Sequence, residues 1–183
     1  MLLTLRGTPF LYYGEEIGMH DVEIPAARVC DPVGKRFSSL GRDPERTPMQ
    51  WDDGPSAGFS RAADTWLPLA PDHPTINVAR QAGDPASLLS FYRRVIWYRK
   101  SSPALRDGAY RALDSPSDTF VYLREHPRQR LLVALNFAGE PRTIVAAEAR
   151  GSVVLGTAPE LGGAVAGSIA LPAVAGAVVE VRS

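Results

Sequence analysis

One stretch limits the folds open to this chain more than any other: Gly7-Thr8-Pro9-Phe10-Leu11-Tyr12-Tyr13-Gly14-Glu15-Glu16-Ile17-Gly18-Met19. Gly7 suits the stop of a preceding helix, because glycine tolerates the left-handed conformation found there. Pro9 stands at the start of an apolar run, a position that a strand accepts. Phe10 to Tyr13 show no polar alternation, which predicts a strand covered on both faces, as in a parallel sheet. Gly14 lets the backbone turn, and the carboxylates Glu15 and Glu16 follow at once. Carboxylates just past the C-terminal end of a buried parallel strand stand where α/β barrels build their active-site loops. The plainer reading is that both are solvated loop charges.

A second run follows, Gly41-Arg42-Asp43-Pro44-Glu45-Arg46-Thr47-Pro48-Met49-Gln50-Trp51-Asp52. The first run resembles the last barrel strand of the α-amylase superfamily of glycoside hydrolases (family 13), most of all its α-glucosidase and oligo-1,6-glucosidase branch. The second resembles the Arg-Asp-x-x-Arg-Thr-Pro-Met-Gln-Trp segment that follows this strand in those enzymes. A weaker likeness continues downstream, where residues 133–140 resemble the start of the family's small C-terminal β-domain. The resemblance implies the C-terminal fragment of a (β/α)8 barrel (last strand, long loop, last helix) followed by a small antiparallel β-sandwich domain. Residues 1–103 would be the end of the catalytic barrel, including a long substrate-side loop at 20–84. Residues 104–183 would be the β-domain.

Length agrees with a part rather than a whole. The chain has 183 residues, and a complete barrel typically needs about 250. Met1 to Leu5 read as the tail of the helix before the strand, so Met1 falls inside an element. The 20 basic and 20 acidic residues cancel, and no basic stripe points to nucleic acid. No apolar run approaches the roughly 18 residues of a membrane span, and no signal peptide is evident at the N-terminus. Cys30 is the sole cysteine, which leaves no internal disulfide and no cysteine-cluster metal site. It reads as an inert loop thiol, and a cytoplasmic compartment is expected.

Residues 20–84 are punctuated by proline and show no lasting period. A loop this long is functional or disordered as a rule. Phe37, Trp51, Phe59, Trp66 and Leu67 give it something to bury, which predicts an ordered excursion over the mouth of the barrel. Asp52-Asp53-Gly54-Pro55 is a turn signal. From Asp84 to Ser102 a helix is expected, with Asp84 as N-cap and Pro85 in the first helical position. Leu88, Leu89, Tyr92, Val95 and Ile96 form its apolar stripe, and Pro103 stops it. The resemblance makes this the eighth barrel helix, packed against residues 8–13. Beyond it, strands are expected at 119–123, 131–137, 142–147, 151–155, 168–171 and 175–181. His126 to Gln129 read as a turn, and Gly162, Gly163 and Gly167 as a flexible loop.

Arg46 is the leading candidate for substrate binding, since a planar guanidinium suits sugar hydroxyls and buried carboxylates. Pairing with Asp43 to hold the loop is its alternative role. Glu15 and Asp43 complete the candidate substrate-binding set. Trp51 suits stacking on a sugar ring, although a private loop core is the commoner use. His20 and His73 lack a second ligand at metal spacing and read as ordinary polar residues. No cofactor and no metal are expected. The resemblance implies retaining hydrolysis of α-glucosidic bonds by two carboxylates, assisted by a third acid. In the family these come from barrel strands four, five and seven, none of which lies in this chain. No catalytic residue is therefore assigned, and the chain alone is expected to hydrolyse nothing. Its expected partners are an α-gluco-oligosaccharide in the complete enzyme and the missing N-terminal barrel portion, with no nucleic acid and no membrane. A trehalose synthase-like isomerase or transferase is an alternative. So is a non-catalytic carbohydrate-binding or docking subunit, as in the amylase-like heavy chains of amino-acid transporters.

Overall fold

A computed structural model describes residues 1–182. Packing divides the chain into two compact units, Met1–Phe10 with Arg94–Ser183, and Leu11–Arg93. Residues 1–7 thus belong to the unit that carries the sheet. Arg99 donates to the carbonyls of Leu3 (2.8 Å), Leu5 (3.1 Å) and Gly7. Arg124 donates to the carbonyl of Thr4 at 2.8 Å. The backbone of Thr4 and Leu5 turns back onto Met1 in a single helical turn, and cations are favoured at such a carbonyl end.

The first unit is dominated by six antiparallel strands: β1 Ala109–Leu113, β2 Thr119–His126, β3 Gln129–Asn136, β4 Arg142–Gly156, β5 Ala164–Leu171 and β6 Gly176–Val181. They lie in the order β1-β2-β3-β6-β4-β5. Side chains alternate in direction along a strand, and here both faces are covered. Val121, Leu123, Leu132, Ala134 and Val179 share one core with Ile144 and Ala149 of β4 and Ile169 and Leu171 of β5. The sheet thus closes over itself. Tyr122, Leu131, Val133 and Val178 point the other way, onto Ala104 and Leu105 of the short helix α3 (Pro103–Arg106) and onto Tyr98 and Leu5. The antiparallel β-domain read from the sequence is present, with the expected turn at Pro127 and Arg128.

Three details of this unit depart from expectation. The strands expected at 142–147 and 151–155 are one strand, β4, whose pairing with β5 shifts register between Val145 and Arg150. Gly167 lies within β5 opposite that shift, not in a loop, and its φ of +89° is one that a side chain rarely adopts. The strand β1 gave no signal, because Tyr110 and its neighbours are exposed. Pairing with β2, Ala109 opposite Glu125, creates it.

The second unit is irregular, as its sequence predicts. It holds short 3-10 turns and one brief helix, α1 Val78–Ala82, whose cap is Asn77 accepting from the Arg80 amide at 2.9 Å. The expected strand at 8–13 does not form. Phe10 is 83% exposed and no strand pairs with these residues among those described. A lone segment has no neighbour to take its ladder hydrogen bonds. The long helix α2 runs Leu88–Ser101, starting later than expected. The Asp84 carboxylate instead closes a turn on the Ala86 amide (2.8 Å), and Ser87 Oγ accepts from the Ser90 amide. Phe37, Phe59 and Trp66 are exposed rather than buried. The unit's interior is built from Leu67, Ala57 and Ala70 and from a small cluster of Ile17, Met49 and Leu89.

Candidate functional site

The second unit contains a cleft of about 260 Å³. Tyr12, Tyr13 and Glu15 line it from the first motif, His20 and Asp21 from just beyond that motif, and Pro44, Glu45 and Thr47 from the second. The turn at Gly14 builds its first wall. Gly14 (φ +90°) and Gly18 (φ +75°) bracket the 3-10 turn Glu15–Ile17. A Cβ on Gly14 would lie 2.6 Å from the Met19 sulfur, so both the turn and the packing call for glycine. Glu16 folds back to accept from the Gly14 amide at 2.8 Å. Glu15 remains exposed at the cleft. The two carboxylates therefore have different jobs, one bracing the turn and one facing solvent beside the tyrosines.

The second wall is locked by backbone contacts. The Tyr13 hydroxyl donates to the Thr47 carbonyl at 2.9 Å, and the Val22 amide donates to the Pro44 carbonyl at 3.2 Å. Burial lifts the Tyr13 hydroxyl above its ordinary pKa, with the neighbouring Tyr12 adding to the effect. The two tyrosine rings are 4.9 Å apart between centroids. They present an aromatic face next to the Glu15 carboxylate.

Of the residues proposed from sequence, the structure brings only Glu15 into the cleft lining. Arg46 is exposed one residue beyond Glu45. Its charge is felt at Tyr13, and its side chain makes no hydrogen bond or ion pair among the described residues. The alternative Arg46–Asp43 pairing does not form. Asp43 is instead 3% exposed, and its Oδ2 accepts from the amides of Cys30 (2.6 Å) and Asp31 (2.8 Å). Its Oδ2 is thereby committed to bracing the loop. Asp31 accepts in turn from the amides of Arg42 (2.8 Å) and Val33 (3.0 Å), which hold its carboxyl below the usual range.

The Thr47-Pro48-Met49-Gln50 core of the second motif is buried throughout. Gln50 and Trp51 carbonyls accept from the Val78 and Ala79 amides at the start of α1. Trp51 itself is 49% exposed, outside both the cleft lining and the apolar cluster. The private-core reading of Trp51 fails because Met49, not Trp51, points inward. Sequence reasoning missed His20, whose Nδ1 lies 2.9 Å from Oδ2 of Asp72. The two are 52 residues apart, so no local spacing signals the pair. No group of three or more metal-binding side chains occurs among the described residues.

The proteins that share these motifs and the β-domain after them are glycoside hydrolases. The family profile described as "Alpha amylase, catalytic domain" matches residues 1–108, and the chain belongs to the α-amylase family. It is 42% identical over 146 residues to a salivary α-glucosidase of Aedes aegypti, which covers 76% of this chain and 25% of that protein. It is 38% identical over 145 residues to a probable α-glucosidase of Rhizobium meliloti, covering 78% and 26%. Among solved structures it matches the trehalulose synthase MutB of Pseudomonas mesoacidophila MX-45 with a TM-score of 0.87 and 32% identity, over 99% of this chain and 37% of that one. The chain thus spans about a quarter of the length of these curated relatives.

Proposed function

We propose that this chain supplies part of the sugar-binding wall, together with the β-domain, of a retaining α-glucosidase-type hydrolase acting on α-linked gluco-oligosaccharides. The observation that carries the reading is the cleft, where Glu15 stands beside Tyr12 and Tyr13. Aromatic faces pack on the apolar side of a sugar ring while carboxylates accept from its hydroxyls. Arg46, exposed at the rim, is the cation available to the same ligand. The end of the family match at residue 108 supports a domain division near residue 103. A cytoplasmic location, argued from the lone Cys30, completes the reading.

The chain by itself supplies binding and no hydrolysis. The N-terminal barrel portion is the partner that would bring the acid and the nucleophile. Calorimetry of the 183-residue chain with maltose tests the binding. Saturable heat that Glu15→Gln weakens at unchanged thermal midpoint is expected, and a folded chain that takes up no maltose would sink the reading. Glucose released from maltose by the purified chain would overturn the inactivity. An isomerase or transferase is the second reading, supported by the structural likeness to a trehalulose synthase. Joined to the missing barrel portion, such an enzyme would convert maltose to another disaccharide rather than to glucose.

A further inference from the structure

We propose that His20 is a ligand-positioning residue of the cleft, oriented by Asp72 and, behind Asp72, by Gln50. The identity of the ligand rests on the sugar-binding reading above, whereas the orientation of the ring rests on geometry alone. His20 Nδ1 lies 2.9 Å from Asp72 Oδ2. A carboxylate only accepts, so Nδ1 carries the proton and Nε2 of the neutral ring is left as an acceptor. His20 lines the cleft and Asp72 does not. The ring is therefore anchored through one nitrogen and offers the other to a ligand.

Asp72 is itself held. Gln50 is fully buried, and its Nε2 donates to Asp72 Oδ1 (3.2 Å) and to the Ile76 carbonyl (2.6 Å). Its Oε1 is buried without a partner, which costs free energy. Turning the amide over would aim that oxygen at a carboxylate and a carbonyl, both acceptors. The orientation that spends both N–H groups on Asp72 and Ile76 is thus the better one, even with an orphaned oxygen. The side chain of His20 is 73% exposed, and an unanchored imidazole there would sample several rotamers. Anchoring removes that freedom before the ligand arrives and so lowers the cost of binding.

The lining says what the ring would hold. Glu15, Asp21 and Glu45 are acceptors, and no Lys or Arg is among the lining residues. A neutral ligand rich in hydroxyl donors fits such a surface, with one hydroxyl donating to His20 Nε2.

The test uses the 183-residue chain and maltose, at a pH where the ring is neutral. His20→Ala should weaken maltose binding about fivefold, the size of one net hydrogen bond. His20→Gln, whose amide reaches the place of Nε2, should restore most of that loss. His20→Asn, which reaches only the place of Nδ1, should not. Asp72→Ala should weaken binding about two- to threefold and move the His20 ring, by nitrogen NMR, from the Nδ1-protonated to the Nε2-protonated tautomer. Unchanged maltose affinity in His20→Ala would overturn the inference while leaving the sugar-binding reading intact. Were the unmodified chain to bind no maltose, that reading would fall. The tautomer would then decide the anchoring: Nδ1-protonated upholds it, and Nε2-protonated overturns it.

Discussion

The two compact units are held together by different chemistry. The core that β2, β3, β4 and β5 share in the β-unit is aliphatic, with Val121, Leu123, Leu132, Ala134 and Ile144 all at 0% exposure. Its polar backbone is satisfied by ladders, such as the pairing of β2 with β3 from Thr119↔Asn136 to His126↔Gln129. The loop unit has few ladders and a three-residue buried cluster. Its backbone amides are satisfied by single carboxylates and amides: Asp43 for Cys30 and Asp31, Asp31 for Val33 and Arg42, Gln81 for Leu89. Buried backbone groups must be paired somewhere. In one unit geometry repeats the solution, and in the other single turn contacts and individual side chains share the work. A repeated solution tolerates sequence change, while an individual one depends on single residues.

The largest effect should come from the aliphatic core. Leu132→Ala removes a side chain at 0% exposure and should cost about 2–5 kcal/mol, read from urea unfolding followed by far-ultraviolet dichroism. A loss under 1 kcal/mol would mean that the core shared by β2, β3, β4 and β5 is not close-packed. Asp43→Ala should cost somewhat less, about 2 kcal/mol, because two amides lose a charged acceptor. That loss should be local. Hydrogen exchange should quicken at Cys30 and Asp31 while the amides of β3 keep their protection. A uniform loss across both units would break the comparison.

This difference also decides what was legible in the sequence. Strands β2, β3 and β6 are legible because Val, Leu and aromatic residues recur there in short blocks rich in strand formers. Residues 8–13 carried an equally strong strand pattern and still did not form one. Pattern reports what a segment would bury, whereas pairing requires neighbours that these residues lack. In the loop unit, the excursion at 20–84 was legible as irregular but ordered. Its supports were not, because a carboxylate that clamps an amide 12 or 13 residues away looks like any other aspartate. Asp43 stands out in the sequence only through its motif, which does not signal its hold on Cys30 and Asp31, and the contact of His20 with Asp72 spans 52 residues. The place of Glu15 in the cleft lining is legible, because a glycine turn sets it beside the aromatic run.

Opposite ends of the pH scale should separate the units. The Asp31 carboxyl is held low by the Arg42 and Val33 amides. A carboxyl whose pKa is lower folded than unfolded stabilises above its ordinary value near 4 and loses that contribution as pH falls. In the β-unit, burial pushes the hydroxyls of Tyr122 and Tyr98 up to about 12. Being higher folded than unfolded, they stabilise fully below about pH 10, and the contribution fades as pH climbs toward 12. Acid should therefore release protection in the loop unit first, and alkali should cost the sheet more, since Tyr13 of the loop unit is raised too but stands 42% exposed. Asp31→Asn should blunt the acid step and Tyr122→Phe the alkaline one. Both units melting together at each extreme would show that the two chemistries are coupled.

The smallest effect should come from a cluster of charges on the β-unit. Glu125 accepts from Arg130 at 2.9 Å and pairs with Arg111 at 3.3 Å. In bond count it resembles Asp43, since each carboxylate serves two donors. In setting it does not. The side chains of Glu125, Arg111 and Arg130 are 33%, 46% and 39% exposed, so water replaces whatever a substitution removes. Asp43 is 3% exposed, and its amides have no such substitute. Glu125→Gln should therefore cost about 0.5 kcal/mol or less, an amount that shrinks further in added salt. The gap between the Asp43 and Glu125 losses sets a buried carboxylate on backbone amides against an exposed one on guanidinium groups. Equal losses at the two sites would mean that carboxylate pairing itself, rather than the exclusion of water, holds the loop unit together.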